Sequence, residues 1–301
     1  MRLTVLGNGS GGPFLGRHYT AQVLQHAQHW FLIDCGEGTQ MQLFRYRIPV
    51  DRIRHIFISH LHGDHLFGLP GLLTSYSLKR RKARLDIFAP PGLEAWLEAT
   101  FQVSGAVLSF PLVVHAVDPQ SRTQVLALKS LAVHTIPLRH RGGCTGWLFQ
   151  ETPGLRNLRK DQLLAHQIPV EDIPGIKAGS DWLSPSGALV PNAVLTHPPK
   201  TPPSYAFCSD TAPSEGVVDA IRGVSLLYHE ATFTEANAAD AARSDHSTAA
   251  QAAAIAKDAG VGCLLMGHFS SRYKSLDGHL EEARAVFPNV RIAVEGETLE
   301  V

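Results

Sequence analysis

One heptapeptide, Ser59-His60-Leu61-His62-Gly63-Asp64-His65, constrains this chain more than any other feature. The residues before it, HIFISH (55–60), form a short run rich in isoleucine and phenylalanine, which by length and composition reads as a buried strand. The end of that strand delivers three imidazoles and a carboxylate within residues 60–65. His60 and His62 can converge on one cation, Gly63 lets the chain turn tightly, and Asp64 and His65 then face a neighbouring position at the start of a helix. Nitrogen and oxygen ligands at about 2.0–2.2 Å suit zinc. A histidine-rich surface loop would have no reason to follow a buried apolar strand.

Around this segment strands and helices alternate. Strands are expected at 2–7, 19–25, 29–36, 55–60 and 85–90, near 112–118, 124–134 and 144–150, and again at 205–210, 225–232, 262–269 and 290–296. Helical spacing marks 39–48, 66–81 (with Pro70 disturbing it early), 92–102, 247–260 and 276–287. Ser247 is the expected N-cap of the alanine-rich helix and Gly260 its end. Between Thr152 and Pro203 the texture changes. Prolines stand at 153, 169, 174, 185, 191, 198, 199, 202 and 203, and helix is plausible only around 158–167. A stretch this long is a protruding functional segment or lid rather than an ordinary loop. The expected organisation is one domain, 1–301, with an inserted arm at about 152–203.

The chain is long enough for a sizeable core, and 44% apolar with 18% charged residues describes an ordinary globular protein. Sixteen histidines are an excess of the kind that accompanies metal or proton chemistry. Lysine plus arginine equals aspartate plus glutamate at 27 each, so overall charge offers no hint of a nucleic-acid partner and weighs against RNA. The cysteines (Cys35, Cys144, Cys208, Cys263) form no C-x-x-C pair and read as buried thiols of a reducing compartment. With no signal pattern and no apolar run near 18 residues, a cytoplasmic protein without membrane association is expected.

Gly7, Gly9 and Gly12 match G-x-G-x-x-G after a strand, with Asp34 further on, as in a dinucleotide-binding fingerprint. That motif should open a helix, whereas here it runs into Pro13-Phe14-Leu15-Gly16 and a strand-like segment. Without the helix no dipole holds a pyrophosphate. The fingerprint is dismissed.

HLHGDH resembles the signature of the metallo-β-lactamase superfamily. LGNGSGGP (6–13), LIDCGEGTQ (32–40), FCSDT (207–211), HEATF (229–233), HSTAAQAAAIAKDAG (246–260) and GHFSSRY (267–273) resemble its ribonuclease Z branch, from residue 2 to about 290. The resemblance implies an α/β fold, the αβ/βα four-layer sandwich of two mixed sheets flanked by helices. It also implies further ligands: His140 of RHRGGCTGW, Asp210 of FCSDT as the bridging carboxylate, and His268 of GHFSSRY. One zinc ion would be held by His60, His62, His140 and Asp210, and a second by Asp64, His65, His268 and Asp210. Manganese or iron can also occupy such sites. His246, supported by Glu230, resembles the family's general acid, Asp64 stands among its catalytic groups as well as its ligands, and Asp34 looks like the carboxylate that orients the metal loop.

Two such cations can generate a hydroxide near neutral pH and neutralise a phosphate. The implied activity is hydrolysis of a phosphodiester 3′ of the tRNA body in precursor tRNA, by a homodimer whose arm grips the tRNA. Here the arm departs from the family's Gly-Pro element and reads IPVEDIPGIKAGSDW (168–182), with Arg156, Arg159, Lys160, Lys177 and Lys200 among acidic neighbours. Other readings keep the site and change the role: a phosphodiesterase or ester hydrolase acting on a small molecule, or a metal-binding scaffold without catalysis.

Overall fold

The computed structural model describes residues 1–12, 14 and 16–301. Two seven-stranded mixed sheets dominate it. The first runs in the order Thr298–Glu300, Arg2–Gly7, Ala21–His26, His29–Ile33, Ile53–Phe57, Leu85–Ala89 and Leu112–Ala116. The second runs Val290–Ile292, Cys263–Gly267, Leu226–Glu230, Ser204–Cys208, Cys144–Glu151, Leu131–Leu138 and Gln124–Leu128.

The central parallel strands, such as Ser204–Cys208 and Leu226–Glu230, are buried on both faces, so side-chain alternation sorts two kinds of apolar residue. From the first sheet Leu32, Ile56, Ile58 and Ile87 pack with Leu43, Leu69, Leu73 and Leu97 of its helices. From the second, Ala206, Cys208, Leu227 and Leu264 pack with Val217, Ala252, Ala256 and Ala283. The opposite faces carry aromatics that meet between the sheets. Phe31 lies 5.6 Å from Phe149, and Phe57 stands edge-on to Trp147 at 5.1 Å. The result is helices, sheet, sheet, helices, the four-layer α/β sandwich that the resemblance implies. Truncating Phe57, which is fully buried at this seam, should cost about 3–5 kcal/mol.

Local outcomes differ from the sequence pattern where tertiary packing decides. The expected strand 124–134 is a hairpin that turns at Lys129 and Ser130. The helix expected over 66–81 is a short turn, Gly63–Leu66, followed by Leu69–Leu78, and Pro70 sits in the first turn of the latter, where its missing N–H is harmless. The N-cap of Ala249–Asp258 is Thr248, not Ser247. Thr248 and Gln251 form a capping box, while the Ser247 hydroxyl donates to the Thr211 carbonyl at 2.7 Å. Gly260 ends that helix as expected, with left-handed φ and a Schellman pair of bonds, Gly260 N to Lys257 O and Val261 N to Ala256 O.

After the glycine-rich turn the first helix among the described residues begins at Thr39. A side chain on Gly7 would put its Cβ 1.8 Å from the Tyr19 carbonyl, so close backbone approach accounts for that glycine. Pro13 and Leu15 of the same segment lie outside the described residues. All four cysteines are free.

By compactness the chain forms two units. The larger comprises Met1–Ala127, Ala132–Phe149 and Ser204–Val301 and holds both sheets. The smaller comprises Leu128–Leu131 and Gln150–Pro203. Its small core is Ile176, Trp182, Val190 and Leu195, and its strands are pairs of two residues each. Helices at Lys160–Ala165, Ile173–Ala178 and Asn192–Leu195 punctuate it. Two of these carry no hydrophobic periodicity long enough to read in advance. Among the described residues no helix is long and apolar enough to cross a membrane.

Candidate metal centre and active site

Strand ends of both sheets meet in one cleft of about 420 Å³, lined by His62, Asp64, His140, Asp210, His246 and His268 among others. All but His246, which lies between the helices Ala238–Ser244 and Ala249–Asp258, arrive just after a strand. Residues 60–65 follow Ile53–Phe57, His140 follows Leu131–Leu138, Asp210 follows Ser204–Cys208, Glu230 closes Leu226–Glu230, and His268 follows Cys263–Gly267. Crevices outside the carboxyl ends of strands are where open α/β sheets place their ligands.

The ligand atoms of His60, His62, His140 and Asp210 all lie within 4.8 Å of one another, and so do those of Asp64, His65 and His268. Asp210 stands between the groups. Its Oδ2 is 3.5 Å from His60 Nε2 and 3.8 Å from His140 Nε2, while its Oδ1 is 3.2 Å from His65 Nε2 and 3.1 Å from His268 Nε2. Asp64 Oδ2 lies 3.6 Å from His65 Nε2 and 3.5 Å from His268 Nε2, and accepts the Gly11 N–H at 2.7 Å.

Side chains behind this inner ring decide which way each imidazole points. Fully buried Asp34 accepts from Ser59 N at 2.7 Å, Ser59 Oγ at 2.9 Å and His65 Nδ1 at 2.7 Å. His65 must therefore present Nε2 to the cleft. His140 Nδ1 donates to the Asp245 carbonyl at 2.9 Å, and its Nε2 is buried without any hydrogen-bond partner. Asp34, Asp245 and His268 all adopt left-handed backbone, with φ of 57°, 55° and 59°. Strain of this kind in non-glycine residues persists where surrounding contacts over-determine it. Gly63, expected to supply a tight turn, has no positive φ; a Cβ there would meet the Phe67 ring at 2.4 Å.

His246 donates from Nδ1 to Glu230 Oε1 at 2.7 Å, and its Nε2 looks into the cleft, 4.0 Å from Asp210 Oδ2. Glu230 is fully buried and has no spare capacity, since it also accepts from Thr211 N at 2.9 Å, Thr232 N at 3.0 Å and Thr232 Oγ1 at 2.6 Å. This pairing, rather than helix capping, is what His246 does.

Electrostatics follow from burial opposed by proximity. Desolvation and the neighbouring His65 push His60 well below the ordinary imidazole value, and desolvation lowers His140. Burial also opposes charge on His65, but Asp210, Asp64 and Asp34 outweigh it and raise that imidazole well above its usual range. Burial disfavours the Asp210 carboxylate, yet His268, His65 and His60 hold it well below the ordinary aspartate value. Asp64 is lowered in the same way, by His65 and His268. For His246 burial is offset by Glu230, which lifts it to about 9, while Glu230 itself is lowered by His246 against its own burial.

The residues fit a divalent metal. An imidazole nitrogen buried with nothing to bond, facing a carboxylate and two other rings, is the arrangement a cation would complete. The imidazole lone pairs and the Asp64 and Asp210 carboxylates are nitrogen–oxygen donors throughout. Every residue singled out for chemistry in the sequence thus comes to one cleft or to the shell directly behind it. Sequence reasoning missed Ser59, Thr211, Thr232 and the Asp245 carbonyl. Thr232 lay inside the motif HEATF and could have been found there, whereas nothing in a sequence announces a backbone carbonyl.

The Beta-lactamase superfamily domain matches residues 29–156. Ribonuclease Z of Bacteroides fragilis is 44% identical over 293 residues, 97% of this chain and 96% of its own. Ribonuclease Z of Parabacteroides distasonis is 41% identical over 99% of this chain and 98% of its own. Among solved structures, the short form of human tRNase Z superposes with a TM-score of 0.74 at 27% identity, covering 100% of this chain and 99% of that one.

Proposed function

The chain belongs to the ribonuclease Z family of metallo-β-lactamase-fold enzymes, and from that membership we propose that it cuts precursor tRNA immediately 3′ of the tRNA body, releasing the 3′ trailer. It is a metal-dependent hydrolase, an endoribonuclease. The observation that carries the reading is the convergence of two ligand groups on Asp210 beside a buried carboxylate–imidazole pair, Glu230 and His246, at 2.7 Å.

Two zinc ions per chain would be held as His60, His62, His140 and Asp210 on one side and Asp64, His65, His268 and Asp210 on the other. Bound there, such cations supply Lewis acidity for activating water and for neutralising phosphate charge. The remaining tasks fall to the chain. Asp34 locks the His65 tautomer, and the Asp245 carbonyl locks that of His140. Glu230 keeps His246 protonated, so that its Nε2 can give a proton to the departing 3′-oxygen of the tRNA body. A hydroxyl and a 5′-phosphate are the ends such a cut leaves.

The unit Leu128–Leu131 with Gln150–Pro203 serves as the arm that captures RNA, and its exposed Lys160 and Lys200 meet phosphates. The enzyme works as a cytoplasmic homodimer. Neutral net charge is compatible with an RNA substrate because the cleft wall includes Arg141 and the cations themselves supply positive charge. The test is incubation of the purified, metal-loaded protein with a precursor tRNA bearing a 3′ extension, and mapping of the cut. A product ending at the tRNA body supports the reading. Failure on RNA alongside rapid hydrolysis of a small phosphodiester would transfer the site to a small-molecule substrate.

A further inference from the structure

We propose that Thr232 is a positioning residue that ties the proton-donating pair to the second ligand group, by fixing the tautomer of His268 through Glu230. The inference rests on the two-cation reading above. A threonine hydroxyl has one hydrogen and two lone pairs. Thr232 Oγ1 stands 2.6 Å from Glu230 Oε2 and 2.9 Å from His268 Nδ1. A carboxylate can only accept, so the hydroxyl hydrogen goes to Glu230. The oxygen is then left to accept, and His268 must carry its hydrogen on Nδ1. In the neutral ring that a cation would bind, Nε2 then carries the lone pair, and it faces Asp210 Oδ1 at 3.1 Å and Asp64 Oδ2 at 3.5 Å.

The Thr232 hydroxyl is the hydrogen-bond partner of His268 Nδ1 among the described residues, and the backbone of His268, at φ 59°, has little conformational slack to find another. Glu230 divides its two oxygens between the two jobs. Oε1 takes His246, and Oε2 takes both the N–H and the hydroxyl of Thr232. One buried carboxylate thus anchors a proton donor on one side and, through a threonine, a metal-side imidazole on the other. The buried environment makes each of these bonds costly to leave unmade.

The test is zinc binding, measured by competition with a chromophoric chelator on the purified full-length protein. Thr232→Val should weaken the more His268-dependent ion by about 10–100-fold, the usual consequence of removing the group that orients a ligand imidazole. The ion held by His60, His62 and His140 should keep its affinity, and Thr232→Ser, which retains the hydroxyl, should restore wild-type binding of both. In a double-mutant cycle on zinc affinity, Glu230→Gln and Thr232→Val should be strongly non-additive, because they break one chain of bonds. Unchanged affinity in Thr232→Val, equal loss of both ions, or additive effects would each overturn the proposal. A wild-type protein that binds fewer than two ions would instead overturn the two-cation reading, a result separate from any effect of Thr232.

Discussion

The cleft and the inserted unit of residues 150–203 use the same kinds of side chain in opposite ways. In the cleft, Asp34, Asp210, Glu230, His60, His65 and His268 are almost completely buried, and each is held by a short bond from a neighbour. In the inserted unit, four apolar side chains make the core, and acidic groups serve as internal fasteners. Asp172 accepts the Trp182 indole N–H at 2.7 Å, and Asp181 accepts Asn192 N at 2.7 Å. Its lysines 160 and 200 are left in solvent. The contrast matches the tasks proposed above for the two regions. Displacement at phosphorus needs donors fixed to a fraction of an ångström, whereas capture of a polyanion needs positive charge in roughly the right place.

The sharpest way to break this contrast is at Asp210, the carboxylate shared by both ligand groups. Asp210→Ala should reduce cleavage more than a thousandfold, since several kcal/mol of transition-state stabilisation go with the cations. Bound zinc should fall below two per chain by elemental analysis. Full metal content with full activity would remove Asp210 from the centre. His246→Ala comes next. Loss of a positioned general acid should lower kcat by about 10²–10⁴-fold while zinc stays bound and KM for the RNA changes little. If turnover is normal, the proton must come from elsewhere.

The inserted unit should respond selectively. Glu151 N donates to the Pro203 carbonyl at 3.2 Å, so the two ends of the segment already touch and a short glycine–serine linker can replace what lies between. The shortened chain should hydrolyse a small phosphodiester such as bis(p-nitrophenyl) phosphate while losing precursor tRNA cleavage. Equal activity on both substrates would show that the unit has no part in RNA capture. A gentler version replaces Lys160 and Lys200 by alanine. Each lysine that pairs with a phosphate should, on removal, make the slope of log affinity against log salt shallower by roughly 0.7–0.9, with kcat unchanged.

Legibility in the sequence divides along the same line. The cluster at 60–65 was readable from its own spacing after a buried strand, whereas the convergence of His140, Asp210, His268, Glu230 and His246 upon it was expected only from the resemblance of their motifs. The long buried strands were readable because both of their faces are apolar. What escaped was short or relational. Thr298–Glu300 is a strand only because Arg2–Gly7 offers it a partner nearly three hundred residues away, with Leu3 opposite Leu299. Helices Ile173–Ala178 and Asn192–Leu195 are too brief to show a period. The hydroxyl of Thr232 and the carbonyl of Asp245 matter through who stands beside them, and adjacency across the fold is what a linear reading lacks.

The smallest predicted effect concerns acid. His279 is fully buried on the helix Asp277–Val286, edge-on to Phe269 at 5.1 Å and to Tyr273 at 4.6 Å. Burial, reinforced by the charge of Arg17 and only partly opposed by the Thr232 carbonyl, lowers its pKa to about 4. His55, between the sheets, is also lowered to about 4, chiefly by burial. An unfolded histidine takes up its proton near 6.5 and these two do so near 4, so between those values the unfolded chain holds more protons than the folded one. Their contribution to stability is therefore complete above about pH 6.5 and drains away as pH falls through 4. From pH 7 to pH 5 each should cost roughly 1–2 kcal/mol, read as a lower urea midpoint. His279→Phe keeps a ring between Phe269 and Tyr273 and removes the titrating group, so its loss over the same interval should be smaller by that amount. Because both histidines belong to the unit that carries the chemistry, mild acid should weaken the cleft's scaffold in particular. An unaltered pH dependence in the variant would mean that His279 is already protonated, or solvated, in the folded protein.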